Sequence, residues 1–176
     1  MWLQNLMRRQ RHDEGQSLLE TAIAMPLLLG IAFNLINLGY FWFLVLSLAA
    51  APRQGVQYSA QGGASITTIS APSATAVSTL VFDNMTNAVH GATSSNTGVR
   101  VCMGTSPTTG VANCTSFGDI SITFSAVASD PEAPVFALNQ VDVGYRVTPI
   151  IPGTAFNVVL PSAQIFRRHV AMRSLY

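Results

Sequence analysis

The sequence contains no lysine and few charged residues of any kind. Charged side chains make up 10% of the 176 residues, all nine basic residues are arginine, and the formal net charge is +1. A chain with this charge balance offers no concentrated basic surface for the phosphate backbone of a nucleic acid. We therefore expect no nucleic-acid partner.

Motifs for metal binding and catalysis are also missing. The two cysteines and three histidines show none of the spacings typical of zinc sites. The sequence has no glycine-rich phosphate loop, and no serine lies in a nucleophile-elbow motif. A Ser-His-Asp triad assembles in space and so stays open as an alternative. We expect a protein that is not an enzyme and that uses no metal or cofactor.

The most informative absence is the lack of Asp, Glu, Lys, Arg and His between Glu20 and Arg53. This apolar run of roughly 30 residues is longer than the ~20 that a helix needs to cross a bilayer. A cleavable signal peptide has an apolar core of only about 7–15 residues, and Pro52 directly follows the small residues that end the run. The run therefore predicts a transmembrane helix in preference to a removed signal peptide.

Arginines flank this run unequally, since Arg53 alone follows it closely. Three arginines precede it: Arg8, Arg9 and Arg11. By the positive-inside rule the N-terminus stays in the cytoplasm, and the rest of the chain is exported. Because the exported side is oxidising, Cys102 and Cys114 are expected to form a disulfide. That bond would constrain the unfolded chain by roughly 3 kcal/mol.

The spacing of apolar residues changes after the run. Residues 49–61 still favour a helix, which we expect to end at the paired glycines 62–63. Spacings of three and four predict an amphipathic helix over 74–90, closed by Gly91. Alternation with a period of two predicts strands near 99–101, 120–124, 141–147 and 164–173.

These patterns predict an α+β fold, with a long N-terminal transmembrane helix followed by a small antiparallel sheet packed with one helix. Residues 1–15 are interpreted as a cytoplasmic leader. Residues 16–62 form the transmembrane helix with an extracytoplasmic extension, and residues 63–176 form an extracytoplasmic α+β domain.

Within the apolar run, Gly30, Asn34, Asn37 and Phe41 share one helix face, at i, i+4, i+7 and i+11. Small and amide side chains on one face let two membrane helices approach closely and form hydrogen bonds. We predict a helix interface at Gly30, Asn34 and Asn37. The alternative is that the asparagines lie near the edge of the bilayer.

Glu20 is a carboxylate at the head of the membrane run, where it is costly unless it is hydrated or paired. One interpretation places it at headgroup level, in contact with water. The other requires a cation at the same depth. Cleavage after Gly15 would create one, because the new α-amino group of Gln16 lies four residues before Glu20 or reaches it from an adjacent subunit.

The segment from Gly15 and Gln16 to Glu20 resembles the prepilin peptidase site of type IV-like pilins. More closely, the chain resembles TadE-like minor pilins (pseudopilins) of the tight-adherence, or Flp-type, pilus. Thr21 stands where an aromatic residue often follows the glutamate, and Asn37 replaces an acidic residue of the family. The similar segments are residues 15–20, 25–31, 38–40, 51–58, 141–145 and 171–173.

This resemblance implies a pilin-like, single-pass protein of the bacterial inner membrane, with a periplasmic C-terminal domain. A prepilin peptidase would cut between Gly15 and Gln16, and Glu20 would set the position of the subunit among its neighbours. The implied partners are the inner membrane, the prepilin peptidase, other pilin subunits and the pilus assembly platform. The implied role is assembly of an adhesive extracellular pilus.

Two alternative functions remain open from the sequence. A minor pseudopilin of a general secretion system shares the same processing chemistry. A membrane-tethered periplasmic binding protein or hydrolase would keep the anchor and never assemble. The N-terminus of the mature protein distinguishes this last alternative from the pilin interpretation.

Overall fold

The structure is a computed structural model that describes residues 2–60, 72–103, 113–127, 136–151 and 164–175. The described elements are, in chain order, α1 (Trp2–Ala60), α2 (Ala74–Ala88), β1 (Thr97–Met103), β2 (Asn113–Gly118), β3 (Phe136–Arg146) and β4 (Ile165–Leu175). The predicted fold class is confirmed, because a long apolar N-terminal helix and a second helix accompany a four-stranded antiparallel sheet. The glycine pair 62–63, where the first helix was expected to end, lies outside the described residues.

The strands lie in the order β2-β1-β3-β4, and every neighbouring pair is antiparallel. Since side chains alternate between the two faces of a sheet, the register gathers the large buried residues of β1 and β3 on one face. These residues are Val99, Val101, Val141, Val143 and Tyr145. We call this face the helix-facing side of the sheet.

Helix α2 packs on the helix-facing side through the stripe that its spacing predicts. The hydroxyl of Ser73 accepts a hydrogen bond from the backbone N–H of Ala76 and so caps the helix N-terminus. The buried stripe consists of Val77, Ser78, Val81 and Met85. Past the last turn, Gly91 has a φ of 79°, a conformation that glycine adopts without steric cost.

The chain divides into two compact units. Unit 1 contains Met1–Tyr40 and Pro149–Pro161, and unit 2 contains Phe41–Thr148 and Ser162–Tyr176. The C-terminal part of α1 therefore belongs to the same unit as the sheet. In unit 2, the α1 side chains Leu44, Leu48 and Val56 are fully buried. This part of α1 therefore forms part of the domain core.

The strand predicted over 120–124 is wrong, because this segment is a turn followed by irregular chain. Two of its apolar residues, Ile122 and Phe124, cover the other face of the sheet instead. The side chain of Ile122 is buried, and a Cβ added to Gly144 would collide with it. A Cβ added to Gly98 would contact Ile122 at 3.4 Å and collide with the backbone carbonyl oxygen of Asp119. The strand that completes the sheet is β2, which the sequence does not predict. It lies just before this segment, at the edge of the sheet.

We expect Gly55→Ala to destabilise unit 2. An added Cβ would overlap the side chain of Val81 and approach Val141 to 3.4 Å, and overpacking of a core typically costs about 1–3 kcal/mol. Thermal unfolding of the full chain in detergent measures the effect. Because Val81→Ala removes the overlapping methyl group, the double variant should lose less stability than the sum of the two single variants.

Gly39→Ala is the matched control for this experiment, since no heavy atom lies within 4 Å of a Cβ added there. It also replaces a glycine in α1, where alanine is favoured by about 0.5–1 kcal/mol. It should therefore not lower the unfolding temperature. Strictly additive effects of Gly55→Ala and Val81→Ala would contradict the close approach of α1 to α2.

Candidate processing and assembly site

The predicted processing residues lie on one stretch of α1. Gly15 is exposed, and no heavy atom of the described residues lies within 4 Å of a Cβ added to it. The side-chain amide Nε2 of Gln16 donates a hydrogen bond to Glu20 Oε1 at 3.5 Å. Spacing of four residues places these two side chains on the same helix face, one turn apart. In the intact chain, a neutral amide thus occupies the position facing the carboxylate.

Glu20 itself is exposed and borders a shallow depression on the helix surface. The depression is lined by Glu20, Thr21, Ala24, Met25 and Leu28. The hydroxyl of Thr21 donates to the backbone carbonyl of Ser17 at 2.9 Å, so this polar group has its partner inside the helix. Glu20 is therefore the charged residue among those that line this depression.

The helix that follows Glu20 carries large apolar side chains on all sides. Exposed examples are Leu18, Leu19, Ile23, Met25, Leu27, Leu28, Leu29, Ile31, Leu35, Ile36 and Leu38. A helix that is apolar all round is typical of a membrane span or of a helix surrounded by other protein. The segment Gly15–Ala60 is long and apolar enough to cross a membrane, as the sequence predicts.

The three residues of the predicted helix interface have different surroundings. Asn34 Nδ2 donates to the backbone carbonyl of Gly30 at 2.8 Å, and both residues line an apolar groove with Leu27 and Leu38. Asn37 is fully buried, and its Oδ1 accepts a hydrogen bond from a backbone N–H of unit 1, that of residue 151, at 3.4 Å. The interface with a second helix at Gly30, Asn34 and Asn37 stays a prediction.

Cys102 and Cys114 form the expected disulfide. They are direct partners in the register of β1 and β2, with a Cα–Cα distance of 4.0 Å. Cys102 is fully buried, whereas most residues of β2 are exposed. The bond therefore fastens an edge strand with little core of its own to the centre of the sheet.

Two carboxylates of unit 2, those of Asp142 and Asp119, have hydrogen-bond partners within the domain. Asp142 Oδ2 accepts a hydrogen bond from Arg100 Nε at 2.9 Å, and the guanidinium of Arg100 also stacks over the ring of Phe124. Asp119 accepts hydrogen bonds from the hydroxyl and backbone N–H of Ser121. These bonds, with a smaller contribution from Arg146, lower the pKa of Asp119 below its ordinary value.

No group of three or more His, Cys, Asp or Glu side chains suited to a metal ion occurs in the part of the chain that the structure describes.

The sequence does not predict one group of aromatic residues that pack together in the structure. The ring of Phe41 packs against that of Phe166 with centroids 5.4 Å apart, and it contacts Trp42 edge-on. The signal that could have identified this group is the aromatic triplet 41–43 near the end of the apolar run, since aromatic residues collect at membrane interfaces. Its link to β4 is visible only in three dimensions.

Comparison of the chain with family models, with curated proteins and with solved structures gives no match. The resemblance to TadE-like pilins accordingly stays a prediction from the residues quoted above.

Proposed function

We propose that the protein is a TadE-like minor pilin, or pseudopilin, that takes part in assembling a tight-adherence pilus and in adhesion. It is inserted in the bacterial inner membrane by α1, with the leader in the cytoplasm and unit 2 in the periplasm. A prepilin peptidase cuts between Gly15 and Gln16. The assembly platform then moves the subunit from the membrane into a filament that contains other pilin subunits.

The observation that best supports this proposal is that two parts of α1 differ in the exposure of their apolar side chains. From Leu18 to Leu38 the helix exposes large apolar side chains, while from Leu44 onward one side of it is buried in the domain core. A pilin needs both features, because one part of the helix must exchange lipid for neighbouring subunits and the other must carry a folded domain.

Glu20 supplies the specificity that apolar packing lacks. Burial of apolar surface is not directional, so it cannot by itself fix how far one helix is shifted along another. A carboxylate buried among apolar helices is favourable only where it meets a cation. The α-amino group of Gln16, created by cleavage, would provide this cation and so define the shift between subunits.

The test is the N-terminus of the mature protein, measured by mass spectrometry after extraction from membranes of the native host. We expect a chain that begins at Gln16. An intact Met1, or a start beyond Ala51, would contradict the proposal, and the intact chain would favour the tethered binding protein. A secretion-system pseudopilin would also begin at Gln16, and neighbouring tight-adherence ATPase genes distinguish it from the proposed function.

A further inference from the structure

We propose that unit 2 binds the surface of the membrane in which α1 is anchored, through aromatic side chains on α1 and arginines on β4 that contact anionic phospholipid headgroups. The surface consists of Trp42, Phe43, Leu46, Arg167 and Arg168, and we call it the juxtamembrane surface. All five residues belong to unit 2. The inference depends on membrane anchoring by α1 and is independent of pilus assembly.

The first argument is the exposure of large apolar side chains on the part of α1 that packs in the core of unit 2. Trp42 is 60% exposed and Leu46 is 66% exposed, whereas Leu44 between them is fully buried. Beyond Ala50 the exposed positions of α1 are polar, namely Arg53, Gln54 and Gln57. The exposed face therefore changes from apolar to polar between Leu46 and Arg53, as expected where a helix leaves a membrane interface.

The second argument is distance along the helix. Exposed apolar side chains run from Leu18 to Leu46, which corresponds to roughly 42 Å of helix at about 1.5 Å per residue. A bilayer measures about 40–45 Å when its headgroup regions are included. If Leu18 lies near one headgroup region, Trp42 and Phe43 lie in the opposite one. Trp is characteristically enriched at this depth.

The third argument is positive charge close to these aromatic residues. Packing of Phe41 on Phe166 holds the start of β4 beside the helix turn that carries Trp42. Arg167 and Arg168 follow Phe166 and are both exposed. Arg167 donates to the hydroxyl of Thr123 at 3.3 Å.

The ion pairs of the described residues do not involve either of these arginines. They join Arg100 to Asp142 and Arg146 to Asp119. Consecutive residues of a strand point to opposite faces, so Arg167 and Arg168 present their charges on both sides of the edge strand β4. An arginine close to an anionic membrane surface shifts the equilibrium about fivefold toward the membrane-bound state. The neighbouring aromatic side chains then fix how deep this part of the protein lies in the membrane.

Fluorescence of Trp42 tests the proposal in the full chain. The sequence has two tryptophans, so Trp2→Phe leaves Trp42 as the sole tryptophan, whose emission is excited selectively at the red edge of the absorption band. The protein is reconstituted into vesicles of phosphatidylcholine, with or without added phosphatidylglycerol, that contain lipids brominated at different acyl positions. We expect Trp42 to be quenched most by bromine near the headgroup, to be shielded from aqueous acrylamide, and to be quenched more strongly when phosphatidylglycerol is present.

Arg167→Gln/Arg168→Gln is expected to abolish the increase that phosphatidylglycerol causes, and high salt should weaken it in the parent protein. Arg53→Gln is the matched control, because it removes one exposed arginine from the polar part of α1 and should preserve the increase. Equal unfolding temperatures of the variants in detergent exclude misfolding as the cause.

Two results would overturn the proposal. One is a Trp42 that remains as accessible to acrylamide in vesicles as in detergent. The other is a double variant that keeps the full phosphatidylglycerol effect. Neither result depends on cleavage at Gly15, so a failure of this inference is distinguishable from a failure of the proposed pilin function.

Discussion

Glu20→Ala is expected to leave cleavage after Gly15 intact and to remove nearly all of the protein from assembled pili. Glu20 is exposed on α1 and its hydrogen-bond partner Gln16 lies on the same helix face, so the substitution removes no contact from the domain core. The variant should therefore fold, insert and be processed normally. The loss should appear only when subunits pack together.

The size of this effect follows from the charge that the substitution leaves behind. In a filament the α-amino group of Gln16 would be surrounded by apolar helices, and removal of one member of a buried ion pair costs about 3–5 kcal/mol. An energy of about 1.4 kcal/mol corresponds to tenfold in an equilibrium constant, so incorporation should fall by about 100-fold or more. Immunoblots of sheared pili and of membranes measure the two pools.

Two controls separate charge from shape. Glu20→Gln keeps the size and a hydrogen-bonding group for Gln16 but not the charge, and it should behave like Glu20→Ala. Glu14→Ala removes a carboxylate from the leader, which would be discarded on cleavage, and it should assemble normally. Parental levels of Glu20→Ala in sheared pili would contradict the registration role of Glu20.

Much of the fold could be predicted from the sequence because the burial pattern of most elements is periodic. The absence of charge identifies α1, and the spacing of Val77, Val81 and Met85 identifies α2, whose buried stripe contains these three residues. Strand β3 is recognisable because Val141 and Val143 alternate with residues on the other face of the sheet. In each case the repeat of the backbone is visible in the apolar residues.

Strand β2 could not be predicted, because most of its residues are exposed and it has no alternating apolar pattern. Its position depends on pairing with β1, on the disulfide from Cys114, and on contact of Phe117 with Phe82. The opposite error arose at Ile122, whose alternation suggests a strand. That side chain is instead buried where Gly98 and Gly144 leave room on the sheet.

The residues of the candidate site also differ in whether the sequence alone can identify them. Gly15, Gln16 and Glu20 are close in the chain, so a linear motif suffices to identify them. The partner of Asn37 is a backbone N–H more than a hundred residues away at residue 151, and Phe41 meets Phe166 by the same kind of long-range packing. Such contacts depend on the complete chain path and leave no local pattern.

Gly15→Leu is expected to block processing completely, so that the membrane-bound protein keeps its leader and no pili contain it. Glycine is proposed to be required here because a peptidase must approach the backbone closely, and any side chain at this position obstructs that approach. The described residues leave room for a side chain at this position, since none of their heavy atoms lies within 4 Å of a Cβ added to Gly15. The intact mass of the membrane-extracted variant measures the outcome.

Gly39→Leu is the matched control, because a Cβ at Gly39 also meets no heavy atom within 4 Å on the same helix. It should be processed to a Gln16 start. A Gln16 start in Gly15→Leu would contradict the assignment of the cleavage site. An uncut chain has no α-amino group on Gln16 for Glu20 to bind, so in the proposed mechanism cleavage at Gly15 creates the cation that the carboxylate of Glu20 requires.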